Sequence, residues 1–244
     1  MTLLVHGMIA AGDAVDLDLP GLSAARGTEV SVLAAARVAA LVSEVDGPEV
    51  LPTRALMLGH ARLLEEVAAR TTVVPMQFGV AVLSPDALTE DVLPAEAERL
   101  QASLERLAGG IELRLRGSYD EEAVVRVVAA SDRRATRLIG RRDLASKMAL
   151  GERIVAGIEG RRQGEVERVV AALRDHARAV ASVAVAEPLD AFTLSFLVEG
   201  TQRNAFEQAV DALGEELTPL VRMELVGPLP PYSFAREEGA EWFD

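Results

Sequence analysis

The stretch GGIELRLRG at residues 109–117 decides the fold of this 244-residue chain, because it marks both a boundary and a strand. Apolar and charged side chains alternate over residues 111–116, which is typical of a strand with one face on a core and the other, with Glu112, in water. The two glycines before it end a helical pattern, as glycines commonly do at helix C-termini. We therefore predict two domains, residues 1–108 and residues 109–244.

Helical patterns follow this strand. A short helix from Asp120 and a basic connector lead into a long helical region over residues 143–180. Three glycines interrupt that region and predict a kink or break near its middle, because glycine weakens a helix interior. They are Gly157, Gly160 and Gly164.

The remaining C-terminal patterns complete a familiar order. Strands are predicted at residues 181–186, 192–198 and 221–225, and a helix capped by Thr201 precedes the last of them. Residues 111–227 thus give strand–helix–strand twice, which is the split β-α-β arrangement of a ferredoxin-like antiparallel sheet with both helices on one face. We predict this fold for the C-terminal domain.

The N-terminal half predicts a variant α+β sandwich. A strand over residues 3–11 precedes residues 29–45, whose β-branched and apolar content fits one long strand or two short ones. Thr53 is a good N-cap for the helix that follows. Residues 71–83 predict a strand interrupted at Pro75, because proline cannot donate to a sheet ladder.

Composition excludes several functional classes. Half of the residues are apolar, as in an ordinary globular protein, and the absence of cysteine excludes disulfides, thiolate zinc sites and cysteine nucleophiles. A net charge of −13 opposes binding to nucleic acid or to an anionic membrane surface. The opening MTLLVHGMIAAG lacks the basic start of a signal peptide, so we expect a cytoplasmic protein.

The charge is distributed unevenly. Residues 133–162 carry nine Lys and Arg against three acids, whereas residues 186–244 carry twelve acids against three Arg. Such patches either steer a partner or face each other within the fold, and the sequence leaves both alternatives open.

The sequence contains almost no recognisable catalytic motif, and we predict that the chain is not an enzyme. His6, His60 and His176 have no second ligand at metal-binding spacing. His60 lies on the apolar stripe of its helix, which favours a hydrogen-bonded packing role over catalysis, although two histidines can still meet in space. The acidic loop with Asp13, Asp16 and Asp18 lacks the glycine and closing glutamate of a calcium loop and is interpreted as solvated. No phosphate-binding or nucleophile-elbow motif is present.

Two segments are candidates for contact with another protein: TTVVPMQFG at residues 71–79 and VGPLPPYSF at residues 226–234. Three prolines stiffen the second segment and hold its aromatic side chains in a fixed presentation. Either this segment packs back on the protein's own surface, or it presents its aromatics to a partner. The predicted partner-binding residues are Pro75, Gln77, Phe78, Pro228, Pro230, Pro231, Tyr232 and Phe234.

These two segments resemble those of the GvpL/GvpF family of gas vesicle proteins. The resemblance extends in order along nearly the whole chain, through VHGMIAAG, AALVSEV at 39–45 and DLASKMALGERIVAGIEGRR at 143–162. The chain departs from many members in having Gln77 in place of an arginine and no aromatic residues around Asp143. The tail from Glu237 to Asp244, with Trp242 and Phe243, matches no motif of the family.

The resemblance implies two α+β domains, no cofactor and no catalytic residue. It implies an accessory role in gas vesicle assembly: binding the hydrophobic major shell protein, limiting its aggregation, and remaining as a minor vesicle component. The implied partners are that shell protein and other gas vesicle accessory proteins, and the implied location is the gas vesicle or the cytoplasm. An apolar groove or sheet edge should then be exposed. The alternative is a ferredoxin-like regulatory protein that binds a small ligand.

Overall fold

The computed structural model describes residues 2–15, 17, 29–45, 51–185 and 187–235. Its internal contacts divide the chain into two compact units. Unit 1 comprises the described residues of Met1–Glu112 and Pro228–Asp244, and unit 2 comprises those of Leu113–Gly227. Within the described residues there are six α-helices and two sheets, which confirms the α+β class. The predicted boundary between residues 108 and 109 stays a prediction.

A sheet forms the centre of unit 1. Its strands are β1 (Thr2–Ala10), β2 (Val30–Ala35), β3 (Val38–Val45), β4 (Val74–Pro75) and β5 (Ala81–Val82). The order is β2-β3-β1-β4, and β5 also pairs with β1. β1 is antiparallel to β3, β4 and β5.

Two of the predicted strand regions are divided. Residues 29–45 form the β2–β3 hairpin, in which Ala36 takes the left-handed φ of 54° that a two-residue loop requires. Residues 71–83 form two short strands, β4 and β5, in place of the predicted strand interrupted at Pro75. A proline has no N–H to continue the ladder, and Gly79 turns the chain with a φ of 101°.

Two helices cover this sheet: α1 (Arg54–Ala68) and α2 (Leu93–Leu107), the latter continuing a π-helical stretch over Ala87–Val92. The Thr53 hydroxyl accepts a hydrogen bond from the Leu56 N–H, so the predicted N-cap is confirmed. Both helices pack against β1, and because strands flank it as well, β1 is buried from Thr2 to Ile9.

Unit 2 contains the elements predicted for the C-terminal half, in the predicted order, and also a short helix over Arg133–Leu138 where the sequence predicts a basic connector. These are β6 (Gly110–Tyr119, beginning in unit 1), α3 (Glu121–Ser131), α4 (Arg133–Leu138), α5 (Leu144–Leu173), β7 (Ala179–Val183), β8 (Asp190–Glu199), α6 (Arg203–Leu217) and β9 (Val221–Leu229, ending in unit 1). The sheet order is β7-β8-β6-β9. The predicted N-cap Thr201 is wrong, because Gln202 occupies the N-cap position of α6 and no side chain caps this helix. Phe196 of β8 and Phe206 of α6 pack in the core with ring centroids 5.1 Å apart.

The predicted break in the long helix is wrong, because α5 runs without interruption over 30 residues. It also ends at Leu173, and Val180 belongs to β7. Gly157 serves close packing: a Cβ there would lie 2.4 Å from Cγ1 of Val128 on α3. Helix hydrogen bonds and tertiary packing thus override the weak propensity of the glycines.

Candidate protein-binding site

The first predicted binding segment, residues 71–79, is mostly part of the core of unit 1. Pro75 is buried in β4, where it pairs with Gly7 of β1. Phe78 is half-buried, and its ring meets the His60 ring edge-on with centroids 5.6 Å apart. Of the three residues predicted in this segment, only Gln77 is exposed.

The second predicted segment turns its aromatic residues inward on unit 1. Pro230, Pro231 and Phe234 are buried, and Pro228 is exposed. Tyr232 is half-buried against the apolar cluster of β1, β3 and α1. Burial, together with the nearby carboxylates of Glu65 and Glu112, raises the pKa of Tyr232 to about 12. Of the two alternatives that the sequence left open, the structure shows the segment packed on the protein itself.

A buried carboxylate fixes this segment in place. Glu112 accepts hydrogen bonds from the Ser233 N–H at 2.8 Å and from the Ser233 hydroxyl at 2.9 Å. The Arg106 guanidinium donates to the Phe234 carbonyl at 2.8 Å. Strand alternation predicts that Glu112 faces water, and that prediction is wrong, because Glu112 is buried. Its hydrogen-bond partner, Ser233, lies 121 positions away in the sequence, where a local pattern gives no sign of it.

Two histidines meet in the core of unit 1. His6 Nδ1 and His60 Nδ1 lie 2.9 Å apart, His6 Nε2 lies 2.8 Å from Ser43 Oγ, and His60 Nε2 lies 3.1 Å from the Met76 carbonyl oxygen. The pairing register of β1 shifts between Val5 and Gly7, so His6 occupies an irregularity that re-aims its side chain. The predicted hydrogen-bonded packing role of His60 agrees with this geometry.

The hydrogen-bond chain permits a single arrangement of protons. The Met76 carbonyl only accepts, so His60 donates from Nε2 and its Nδ1 accepts. His6 therefore donates from Nδ1, and its Nε2 accepts the Ser43 hydroxyl proton. Burial, reinforced by the facing His60, lowers the pKa of His6 to about 3, and burial also lowers the pKa of His60. Both rings are neutral, and all four of their nitrogens are already used, which suits a structural role and leaves none to bind a metal.

An apolar groove lies in unit 2 between α3 and α5, with a volume of about 830 Å³. We call it the α3–α5 groove. Its apolar lining comes mainly from Val124, Val125, Leu150, Ile154 and Ile158, with Pro188 and Leu189 closing one side. Val155 lines it and is 54% exposed.

Exposed apolar side chains continue beside the groove on the first half of α5. Leu144 is 74% exposed and Met148 is 59% exposed. With Val155 they are spaced by four and seven residues, so they form one row along the helix. Water-exposed apolar residues that are aligned, unlike scattered ones, are typical of a surface that contacts another molecule.

A basic stretch adjoins the groove. Five arginines in α4 and the following connector are exposed and make no ion pair within the described chain: Arg133, Arg134, Arg137, Arg141 and Arg142. α4 is held against α5 because Asp132 caps α4 and also accepts a 2.6 Å hydrogen bond from Arg153. Arg162 closes the opposite end by donating to the carbonyls of Asp190 and Pro188.

Other kinds of site have little support in this geometry. Across the described ranges, no three histidine or carboxylate side chains come together so that they would hold a metal ion. No helix in the part of the chain that the structure describes is long and apolar enough to cross a membrane. Asp16 and Asp18 of the acidic loop lie outside the described residues, as do Trp242 and Phe243.

Comparison with known proteins decides the family. The model of the family described as gas vesicle synthesis protein GvpL/GvpF matches residues 4–236. The chain belongs to this family. Gas vesicle protein F of Streptomyces sp. (strain CB03234) is 36% identical over 215 residues, covering 84% of this chain and 87% of that protein. Gas vesicle protein F of Microcystis aeruginosa (strain PCC 7806) is 21% identical over 206 residues, covering 80% and 83%.

Solved structures of GvpL/GvpF members share the fold. The crystal structure of GvpF from Anabaena sp. PCC7120 superposes with a TM-score of 0.80 at 18% identity, covering 100% of this chain and 98% of that one. GvpF from Microcystis aeruginosa gives a TM-score of 0.77 at 19% identity, covering 97% and 99%. The family resemblance stated from sequence motifs is therefore confirmed.

Sequence reasoning missed the α3–α5 groove. The segment DLASKMALGERIVAGIEGRR was noted for its resemblance, but its apolar residues were assigned to no surface. The available signal was the spacing of Leu144, Met148 and Val155, which fits one helix face. Spacing alone does not distinguish an exposed face from a buried one.

Proposed function

We propose that this GvpL/GvpF member is an accessory protein of gas vesicle assembly that binds the hydrophobic major shell protein and limits its aggregation. A shell subunit apolar enough to hold water out of a gas space would associate with its own copies when free. A partner with a net charge of −13 repels further copies of itself and keeps a complex dispersed. Family membership supports the assembly role.

The aligned, exposed row Leu144, Met148 and Val155 beside the α3–α5 groove is the observation that carries this proposal. It supplies the exposed apolar surface that such an activity requires. We place the main contact there. Of the eight partner-binding residues predicted from sequence, Gln77 and Pro228 are exposed and are available for a second contact with the shell protein. We propose that these contacts form in the cytoplasm or at the gas vesicle.

Co-expression with the major shell protein of the same gas vesicle system tests the proposal. We expect the shell protein to stay in the supernatant after high-speed centrifugation and to co-purify with a tagged copy of this chain. Without the chain, or with an unrelated acidic protein of similar size, it should pellet. A shell protein that pellets equally in all three cases would remove the proposed function.

We also propose that the sheet of unit 2 is ferredoxin-like. The order β7-β8-β6-β9, with helices between β6 and β7 and between β8 and β9, supports this assignment. The alternative function, small-ligand regulation, predicts a pocket in which polar groups converge. The largely apolar lining of the α3–α5 groove suits a protein partner, whereas a second cleft of about 930 Å³, with Asp120, Asp211 and Arg222 in its lining, is where a small polar ligand would bind.

A further inference from the structure

The α5 wall of the α3–α5 groove is long enough to hold a helix, and α3 forms the facing wall at one end through Glu121, Val124 and Val125. Its α5 wall extends from Lys147 to Arg162, a distance of about 22 Å at 1.5 Å per residue, or about four helical turns. Between these ends the wall residues fall at 150, 151, 154, 155, 158 and 159, so that each has neighbours three and four positions along the helix. Gly151 keeps the wall open, because a Cβ there would meet no atom within 4 Å. An amphipathic helix binds such a trough with anchors at matching spacing.

The two ends of the trough differ in charge. α3 runs antiparallel to the facing part of α5, since Asp132 pairs with Arg153 whereas Val128 lies against Gly157. Glu121 at the start of α3 therefore lies toward the Arg162 end, together with Glu159. The acids and the arginine offset one another at this end.

The other end is strongly basic. Lys147 lines it, and Arg141 and Arg142 immediately precede the first turn of α5. Residues 133–147, which lead to this end, hold six of the chain's 25 basic residues but only one of its 38 acidic ones, Asp143. The positive end of the α5 dipole adds to the same field. This end therefore attracts negative charge, in a protein whose surface is otherwise acidic.

We infer that the α3–α5 groove binds an amphipathic helix of the partner protein whose apolar stripe ends in acidic residues, with that acidic end over Arg141, Arg142 and Lys147. This inference rests on the proposed function, and it describes the kind of helix with which the shell protein would bind. An anionic lipid surface is the competing ligand, because the first half of α5 combines basic residues with exposed apolar side chains. The concave trough and the net charge of −13 favour the helix.

A displayed library of four-turn amphipathic helices tests the inference directly. Each member keeps a Leu stripe at helical spacing, and the positions flanking the stripe at each end are randomised among Glu, Gln and Lys. Selection uses the full-length protein. We expect enrichment of Glu at one end only. Enrichment of Lys, or no preference at either end, would overturn the inference.

Matched variants locate the binding surface. Met148→Ser with Val155→Ser should weaken the selected helix about tenfold or more, as truncation of interface anchors does. The control, Met57→Ser with Leu58→Ser, changes apolar residues of similar exposure on α1 and should leave binding unchanged. Equal binding by both double variants would overturn the inference.

A second pair of variants tests the contribution of positive charge to binding. Changing Arg141, Arg142 and Lys147 to Gln should abolish the Glu preference. The same change at Arg54 and Arg62 of α1 and at Arg70, which follows this helix, should preserve it. Flotation with vesicles of phosphatidylcholine and phosphatidylserine completes the test. Vesicle binding that the Met148/Val155 variant loses, with no helix selected, would assign the groove to lipid and overturn the inference.

Shell-protein capture keeps the two proposals separate. If the wild-type chain retains the shell protein and the Met148/Val155 variant retains it equally well, the groove inference fails and the proposed function stands. If the wild-type chain retains no shell protein but selects helices with an acidic end, the proposed function fails and the groove chemistry stands for another partner.

Discussion

At the scale of single residues, the pair His6 and His60 makes the stability of unit 1 sensitive to pH. The folded state holds both rings neutral, because burial disfavours a charge on His6 and a proton added to His60 Nδ1 would set two N–H groups against each other across 2.9 Å. The unfolded chain accepts a proton on His6 near the ordinary pKa of 6.5, whereas the folded chain does so at about 3. Between these values the unfolded state binds more protons, so stability is complete above pH 6.5 and falls as the pH falls.

The variant His6→Gln should remove the part of this dependence that comes from His6 and leave the part that comes from His60, whose pKa is also lowered by burial. Near pH 5, each proton bound only by the unfolded state changes the free energy of unfolding by about 1.4 kcal/mol per pH unit. Urea unfolding of wild type and variant between pH 7 and pH 5 measures the difference in slope, whatever their stabilities at neutral pH. Met57→Ser, which changes an exposed side chain that does not titrate, is the control, and its slope should follow that of wild type. A His6→Gln slope equal to the wild-type slope would contradict the account.

Residues at this scale also show where prediction from sequence stops. The apolar stripe of α1 and the N-cap Thr53 are local patterns, and the structure contains both. The partners of His60 and Glu112 lie 54 and 121 positions away in the sequence. Strand alternation predicts which face of the sheet a residue occupies from its sequence neighbours alone. It therefore predicts that Glu112 faces water and cannot predict a hydrogen bond to Ser233.

At the scale of elements, the three glycines nearest the middle of α5, Gly157, Gly160 and Gly164, differ in their surroundings, and the sequence does not show this difference. Gly157 touches Val128 of α3, whereas a Cβ at Gly160 or Gly164 would meet no atom within 4 Å. Gly157→Ala should therefore destabilise the protein, because its Cβ would lie 2.4 Å from a side-chain carbon in a packed core.

The neighbouring substitutions Gly160→Ala and Gly164→Ala serve as controls of opposite sign. Each should stabilise the helix by about 0.5–1 kcal/mol, the difference in propensity between glycine and alanine. Thermal and urea unfolding of the three variants measures these effects. Stabilisation by Gly157→Ala would show that α3 and α5 are not in close contact.

Element patterns predicted the order of strands and helices well, because each element has its own hydrophobic period. They did not predict the continuity of α5 or the exposure of its first half. Leu144, Met148 and Val155 have the same spacing as a buried stripe. Their exposure in the structure shows that no element among the described residues covers them.

At the scale of the whole molecule, the chain returns to unit 1 after completing unit 2. Residues 228–235 contribute Pro230, Pro231 and Phe234 to the buried interior of unit 1, and Ser233 bonds to the buried Glu112. Unit 2 is thus inserted within unit 1 along the sequence. This connectivity makes a specific prediction about truncation.

A chain that ends at Gly227 should lose the stability of unit 1 selectively. Hydrogen exchange should show lost protection in peptides from residues 2–112, whereas peptides from residues 113–227 should retain theirs, because their core residues are all present. Phe234→Ala in the full chain should have the same pattern, at a cost of about 3–5 kcal/mol for a buried aromatic. Pro228→Ala, which changes an exposed residue of the same segment, should leave protection in both units unchanged. Uniform loss of protection over both units would mean that they unfold as one, and unchanged protection in unit 1 would mean that the segment is free to bind a partner.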